Sequence, residues 1–335
     1  MNDNPRILII LLGSLGDVIR GLSIVKPLRN SFPNSRISFL VDSRWNSLVE
    51  LNQDLSDVIV LPRKINLSSI LSIRKNIYNQ FDLVLDLQRI LKSGVLSFLT
   101  RAKRRIGFNK KNSKEFNYFF NNEQIQEYTE DLSKIHHYHK FLDYLNIKTE
   151  EDYQFGICDG INKLNLDPKY SVIFTDTYIS LCLGSSWKTK DWDIKNYQEL
   201  ISFIKENTTY KIILLGGKDQ IENSNLLCSK DKSRILNIVG KTTLVELAKV
   251  ISYSKVLISP DSGPAHLAAA LNVQCITLFG PTNPARVAPY KMDSLVVKSN
   301  ANCSPCNKKI CPLKLQICME QISAKEVYRK LQEVL

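Results

Sequence analysis

No apolar run in this sequence approaches the about 18 residues that a membrane span needs. The first apolar stretch, Ile7 to Leu12, is too short and too soon followed by Asp17 to be a secretory signal. Both absences lead us to expect a cytoplasmic protein. Zinc-finger spacing and a basic motif interleaved with aromatics are also missing, so the usual signatures of a nucleic-acid partner are not there. Acidic residues are in deficit: 33 aspartates and glutamates face 45 lysines and arginines, a net charge of +12. With nucleic acid set aside, that excess fits anionic small substrates or an anionic membrane surface. The turn Gly13-Ser14-Leu15-Gly16 does not satisfy the dinucleotide fingerprint, which argues against a dehydrogenase.

What is present is a repeated βα rhythm. The chain of 335 residues suits two domains of about 150 each, and its 44% hydrophobic content is ordinary for a globular protein. Continuous apolar runs at Arg6–Leu12, Ile37–Val41, Val58–Leu61 and Asp82–Leu87 read as buried parallel strands, with helices expected over 18–31, 90–100 and 133–146. Residues 108–131 read as surface loops or short irregular helices. His136, His137 and His139 fall on the third helix, where adjacent positions point to different faces, and a solvated face is expected rather than a metal site. Weak patterning over 149–177, with Asp159-Gly160 and Asp167-Pro168, marks a linker. This sets an N-terminal domain at 1–165 and a C-terminal one at 166–335. The rhythm restarts with strands at 179–183, 211–215, 235–239, 256–259 and 275–279, and closes on a helix from 324 to 335. Two doubly wound parallel sheets follow, and ligands in such sheets bind at the carboxyl ends of the strands.

The most informative corner is Ser259-Pro260-Asp261-Ser262-Gly263-Pro264-Ala265-His266, between an apolar strand and an Ala/Leu-rich helix. Proline is tolerated in a first helical turn, and the N–H groups and dipole of a helix start seat phosphate. Asp261 can face sugar hydroxyls and His266 can add a donor. As an ordinary strand–helix corner, the same stretch would need only a capping acid.

Gly13-Ser14-Leu15-Gly16-Asp17, Gly184-Ser185-Ser186 with Lys190-Asp191-Trp192, and Asp261-Ser262-Gly263-Pro264-Ala265-His266 together resemble family 9 glycosyltransferases, the ADP-heptose–lipopolysaccharide heptosyltransferases. Asp86-Leu87-Gln88 with Lys92-Ser93 extends the match through the first half. The tail Cys303-Ser304-Pro305-Cys306, Cys311-Pro312-Leu313 and Cys318-Met319 is similar to the heptosyltransferase II branch. The resemblance implies a GT-B fold, two Rossmann-like domains facing a cleft, and inverting transfer of heptose from ADP-heptose to the lipopolysaccharide inner core. It implies no required metal.

On that reading Asp17 is the general base, a role that coexists with capping a helix. Lys190, Ser185, Ser186, the Gly263 amide and His266 meet the charge on the leaving ADP. Asp219 lies where the family has an acid for the ribose, Thr242, Thr243 and Leu244 border adenine, Asp261 holds the heptose hydroxyls, and Ser262 belongs to the same donor site. The acceptor would be a phosphorylated or carboxylated sugar on a lipid, with Arg63, Lys64, Lys92 and Lys103-Arg104-Arg105 as candidate grips, and peripheral contact with the anionic inner membrane. A nucleotide-sugar epimerase or hydrolase of the same fold, or a non-catalytic nucleotide-sugar-binding protein, would keep the architecture and change the chemistry. The absence of a second obvious acid/base beside Asp17 disfavours the first, and the presence of both Asp17 and Lys190 the second.

Four of the eight cysteines, Cys303, Cys306, Cys311 and Cys318, are spaced C-x2-C-x4-C-x6-C. That spacing suits a structural metal or a reduced, partly buried cluster stapling the tail, while a cytoplasmic setting disfavours disulfides. Cys158, Cys182, Cys228 and Cys275 read as isolated core residues.

Overall fold

The computed structural model describes residues 4–64, 67–165, 170, 176–228 and 234–335, the side chains of 67–70 excepted. It divides into two compact units, Met1–Gly160 and Ile161–Leu335. The helix Cys158–Lys163 occupies the expected linker, and Asp167-Pro168 lies outside the described residues. A Cβ at Gly160 would stand 2.5 Å from the Leu51 carbonyl oxygen, so only glycine lets this helix lie against that backbone.

The first unit carries β1 Arg6–Ile10, β2 Arg36–Asp42, β3 Asp57–Leu61, β4 Leu83–Asp86, β5 Arg104–Gly107 and β6 Glu123–Gln124. They form one sheet in the order β3-β2-β1-β4-β5-β6. Every pairing is parallel, with Ile7 opposite Ile37 on one side and Leu83 on the other. The second unit repeats the plan with β7 Tyr178–Cys182, β8 Lys211–Leu215, β9 Ile235–Asn237, β10 Val256–Pro260, β11 Cys275–Phe279 and β12 Val296–Lys298, ordered β12-β11-β10-β7-β8-β9 and again parallel throughout. Counted from its own first strand, each sheet has the same doubly wound order. The order reverses between β1 and β4 and between β7 and β10, the crevices where such sheets take ligands. Helices on both faces explain why the central strands read as unbroken apolar runs: Ile7 to Ile10 and Val256 to Ile258 are fully buried.

Several elements depart from the sequence-based expectation. The helix expected over 18–31 is two helices, Leu15–Leu22 and Val25–Ser31. Pro27 has no N–H to bond back to Ser23, and the Ser23 hydroxyl instead donates to the Arg20 carbonyl at 2.7 Å. The strands β5, β6 and β12 and the helices Leu67–Ile77 and Ile221–Cys228 add to the expected set. The histidines do not form a solvated face: His137 and His139 are buried. The His139 ring stacks on Tyr153 and its Nε2 lies 2.9 Å from Ser23 Oγ. Cys158 and Cys228 are half-buried rather than core, while Cys182 and Cys275 are buried. Among the described residues, no helix is long and apolar enough to cross a membrane.

Asp86, at the carboxyl end of β4, is fully buried. Its carboxylate accepts from Asn117 Nδ2 at 2.7 Å, Asn121 Nδ2 at 3.2 Å and the Gln88 amide at 3.1 Å. Burial pushes its pKa up to about 6 against the pull of those donors. The folded chain therefore binds this proton more tightly than the unfolded chain does. The stability it contributes is full below the ordinary carboxylate value of about 4 and is lost as pH rises through 6. Asp86→Asn turns an amide N–H₂ or a weaker acceptor toward these donors, a cost of roughly 1–3 kcal/mol in urea unfolding at pH 4.5. That deficit should shrink at pH 7; an equal or larger one there would contradict the shift.

Candidate active site

On the first unit the site starts from Ser14-Leu15-Gly16-Asp17. Ser14 is the N-cap of helix Leu15–Leu22 and Asp17 is its N3 residue, so Asp17 completes a capping box rather than capping the helix itself. Asp17 Oδ2 accepts from Ser14 Oγ at 2.8 Å, and Oδ1 accepts from Arg20 Nη2 at 2.8 Å and Lys134 Nζ at 3.2 Å. Burial alone would raise its pKa, but Lys134, Arg20 and the Ser14 hydroxyl outweigh it and hold the carboxyl far below the usual range. With 19% of the side chain exposed, the group is ionised and still reachable.

The turn before it is fixed from two sides. Trp45 Nε1 donates to the Gly13 carbonyl at 3.0 Å, and the Leu12 amide donates to Gln88 Oε1 at 3.1 Å. A Cβ at Gly13 would stand 3.0 Å from Asp17 Oδ2 and 3.1 Å from Gln88 Oε1, so glycine keeps the approach to the carboxylate open. Arg20 had a signal in the sequence, its i+3 spacing from Asp17. Lys134, 117 residues away, had none.

The second unit gathers Lys190, Asp261 and Thr282 from the turns after β7, β10 and β11. Lys190 Nζ donates to Asp261 Oδ2 at 2.7 Å and to its carbonyl at 3.3 Å, and lies 4.4 Å from the Trp187 ring centroid. Thr282 Oγ1 donates to the same Oδ2 at 2.8 Å. Lys190 and Asp261 are 9% and 6% exposed, so each charge depends on the other. Helix Gly263–Ala270 opens beside them. Its N-cap, Ser262, turns its hydroxyl to Ser259 at 2.8 Å and caps no backbone N–H. Gly263 and Pro264 form the start of that helix, and His266 is buried in its first turn.

The remaining candidates are more spread out. Ser185 gives its amide and its hydroxyl to Asp191 Oδ1 at 2.9 and 3.0 Å. The sequence motif had included Asp191 without a role, and here it organises the turn that bears Ser185. Burial raises the Asp191 pKa, and Asp219 on the neighbouring turn adds to the rise. Ser186 and Asp219 are exposed, with Asp219 Oδ2 accepting from Gln220 Nε2 at 3.0 Å. Thr243 caps helix Leu244–Ser252 in a box with Glu246, which leaves Thr242 just outside it and half-buried. Of the acceptor grips, Arg104 is held by Glu123, at 2.7 Å through Nε, and Arg105 by the carbonyls of Ala102 and Phe120. Both are thus tied into the fold, while Arg63 and Lys64 stay exposed.

Cys303, Cys306, Cys311 and Cys318 line one small pocket of about 30 Å³ together with Thr189 and Lys308. All four are free thiols, and no group of three or more His, Cys, Asp or Glu among the described residues is arranged to hold a metal ion. Thr189 Oγ1 donates to the Lys308 carbonyl at 3.2 Å, so the cysteine loop packs against the turn that carries Lys190.

Replacing Lys190 by Met strands a buried carboxylate, and urea unfolding should show a loss of roughly 3–5 kcal/mol. Adding Asp261→Asn should recover most of that loss. A double variant as unstable as the single one would mean that the two charges do not support each other.

The model of glycosyltransferase family 9 (heptosyltransferase) matches residues 70–317. Lipopolysaccharide core heptosyltransferase OpsX of Haemophilus influenzae is 29% identical over 304 residues, which cover 87% of this chain and 84% of that protein. Lipooligosaccharide heptosyltransferase 2 of Campylobacter jejuni is 24% identical over 332 residues, 96% of each chain. Among solved structures, E. coli heptosyltransferase WaaC with ADP has a TM-score of 0.81 at 20% identity, covering 98% of this chain and 100% of that one. E. coli ADP-heptose lps heptosyltransferase II has a TM-score of 0.75 at 19% identity, covering 98% of each. Two parallel six-stranded sheets in these orders, with that likeness, make the fold GT-B. With the family model spanning most of its length, the chain belongs to glycosyltransferase family 9 and is a glycosyltransferase.

Proposed function

We propose that this chain transfers a heptose from ADP-heptose to the inner core of lipopolysaccharide, with inversion, and that Asp17 is the general base. The observation that carries the proposal is an ionised, reachable carboxylate at the end of β1 in a family 9 chain. An acceptor hydroxyl attacks the anomeric carbon from the side opposite the diphosphate. Its oxygen forms the new glycosidic bond and its proton passes to Asp17. The bond from the anomeric carbon to the phosphate oxygen breaks, and its electron pair leaves with ADP.

Two cations on Asp17 make it a weak base at rest. An acceptor bearing phosphate or carboxylate competes for Lys134 and Arg20, and this raises the basicity of Asp17 when the substrate is in place. Lys190 plays the matching part for the donor. Its resting partner is Asp261, and the diphosphate takes over the lysine as Asp261 turns to the sugar hydroxyls. Ser185, Ser186, the Gly263 amide, Ser262 and His266 complete the diphosphate and sugar contacts, with Asp219 at the ribose and Thr242 at the adenine. Lys190 and backbone N–H groups supply the positive charge, and no step calls on a metal.

The tail C-x2-C-x4-C-x6-C and the match to the Campylobacter heptosyltransferase 2 support placement in the heptosyltransferase II branch. With a lipid-linked acceptor, the enzyme on this reading works in the cytoplasm, at the inner face of the inner membrane.

Asp17→Asn should lower kcat by about 10²–10⁴-fold while leaving the Kd for ADP unchanged, as measured by calorimetry and by ADP release with acceptor present. Unchanged turnover would remove Asp17 from the base role. With ADP-, UDP- and GDP-sugars offered in parallel, acceptor-dependent nucleotide release is expected from ADP-heptose alone. Release from a UDP- or GDP-sugar instead would overturn the donor assignment.

A further inference from the structure

The segment from Arg89 to Phe119 holds nine lysines and arginines against one glutamate, so eight of the twelve net positive charges fall within it. Arg89, Arg104 and Lys111 are taken up by Glu130, Glu123 and Glu127. Arg101, Lys103, Lys110 and Lys114 lie exposed.

The same segment turns apolar side chains to solvent. On helix Leu91–Leu99, the exposed residues Leu91, Val95 and Phe98 recur at intervals of four and three and so form one stripe, while Ser93, Gly94, Leu96 and Ser97 are buried. The turn Asn117–Phe120 packs beside it, with Phe98 edge-on to Phe120 at 6.3 Å. Phe116 and Phe119 are 69% and 71% exposed, their rings 6.2 Å apart. The guanidinium groups of Arg101 and Arg105 lie 5.0 and 5.7 Å from the Phe98 ring.

This display is anchored from below. Asn117, fully buried, donates to Asp86 Oδ2 at 2.7 Å and to the Ile90 carbonyl at 2.9 Å. A Cβ at Gly94 would come within 2.9 Å of that Asn117 amide, so glycine admits the turn. Glu115 and Phe116 have φ of 50° and 57°, a region that side chains of this kind rarely adopt. A buried anchor thus holds an unfavourable backbone in which two phenyl rings face water.

Rings and aliphatic side chains set among lysines and arginines match an interfacial surface. The rings enter the headgroup boundary, and the long basic side chains reach anionic headgroups. We propose that the outward stripe of helix Leu91–Leu99 and the turn at Phe116–Phe120 are the surface by which the first unit docks on an anionic lipid bilayer. This rests on the reading of a lipid-linked acceptor given above, and it assigns that contact to named residues. Asp86, which anchors the turn, also accepts the Gln88 amide, and Gln88 in turn accepts the Leu12 amide ahead of Asp17. Docking surface and general base are therefore tied through a short chain of hydrogen bonds within one unit.

The test is co-sedimentation of the full chain with phosphatidylglycerol/phosphatidylethanolamine vesicles and with phosphatidylcholine vesicles. The wild type should bind the anionic vesicles selectively and release in high salt. Phe116→Asn/Phe119→Ser, in which Asn tolerates the left-handed backbone, should weaken binding about tenfold or more. Arg101→Gln/Lys110→Gln/Lys114→Gln should weaken it by roughly fivefold per charge. Both variants should keep wild-type turnover on a deacylated, water-soluble core acceptor. Absent or lipid-independent binding, or variants that bind as tightly as wild type, would overturn the proposal. So would a phenylalanine-dependent dimer in gel filtration, which would make this face a protein interface. Loss of vesicle binding with transfer intact leaves the heptosyltransferase reading standing. Vesicle binding without any transfer has the opposite consequence.

Discussion

A parallel strand has to be re-entered from its far end, so every strand-to-helix turn of such a sheet falls along one edge. This constraint organises both units. At that edge the chain leaves the hydrogen-bonded ladder before a helix has begun, and backbone N–H groups and small residues accumulate there. Gly13, Gly184, Gly216, Gly217 and Gly280 all occupy such turns in this sequence. The sheet order adds a second restriction: neighbouring turns diverge only where the winding reverses, between β1 and β4 and between β7 and β10. Asp17 and Asp86 stand at the first of these points, Lys190 and Asp261 at the second.

The two charged clusters use the same interaction in different ways. Asp17 is one anion set between two cations, with a capping hydroxyl on its other oxygen, so its charge is secured without any ligand. On the proposed mechanism its reactivity is thereby restrained until an anionic acceptor draws the cations away. Lys190 and Asp261 are a matched buried pair, in which neither charge can leave unless something of like sign replaces it. The diphosphate of the proposed donor would meet that condition for Lys190, with Thr282 left to hold the carboxylate. In both clusters the resting state is stable because each charge already has its electrostatic partner, the partner that a substrate would have to displace on the proposed mechanism.

Legibility from sequence followed the range of the interactions. The strands Lys211–Leu215 and Cys275–Phe279 match the expected bounds because apolar periodicity is a local property. The short edge strands β6 and β12 were hidden. Glu123-Gln124 and Val296–Lys298 take their conformation from a neighbour in the sheet, and their own residues carry little pattern. The break at Ser23-Ile24 was within reach, since Pro27 was visible. The site motifs were also visible, because glycine, proline and a charged residue at a strand end leave a mark over a few positions. Their partners were not. Lys134 reaches Asp17 across 117 residues, and Lys190 meets Asp261 across 71, with no spacing rule to link either pair. The run Lys103-Arg104-Arg105 likewise gave no sign that Arg104 pairs with Glu123 on the neighbouring strand.

Net charge is more informative once it is placed. The total of +12 admits several partners, and its concentration between Arg89 and Phe119 narrows them. Evenly spread charge would keep a protein soluble and give no orientation. Charge gathered around exposed rings on one face defines a direction, because field and apolar contact then act on the same surface. The anchoring of that face through Asn117 to Asp86 is the physical reason such a direction matters for chemistry. An enzyme whose acceptor is held in a bilayer gains little from binding the bilayer unless its base is rigidly related to the contact. On the proposed reading of this chain, the relation between base and contact runs through buried hydrogen bonds at the end of β4.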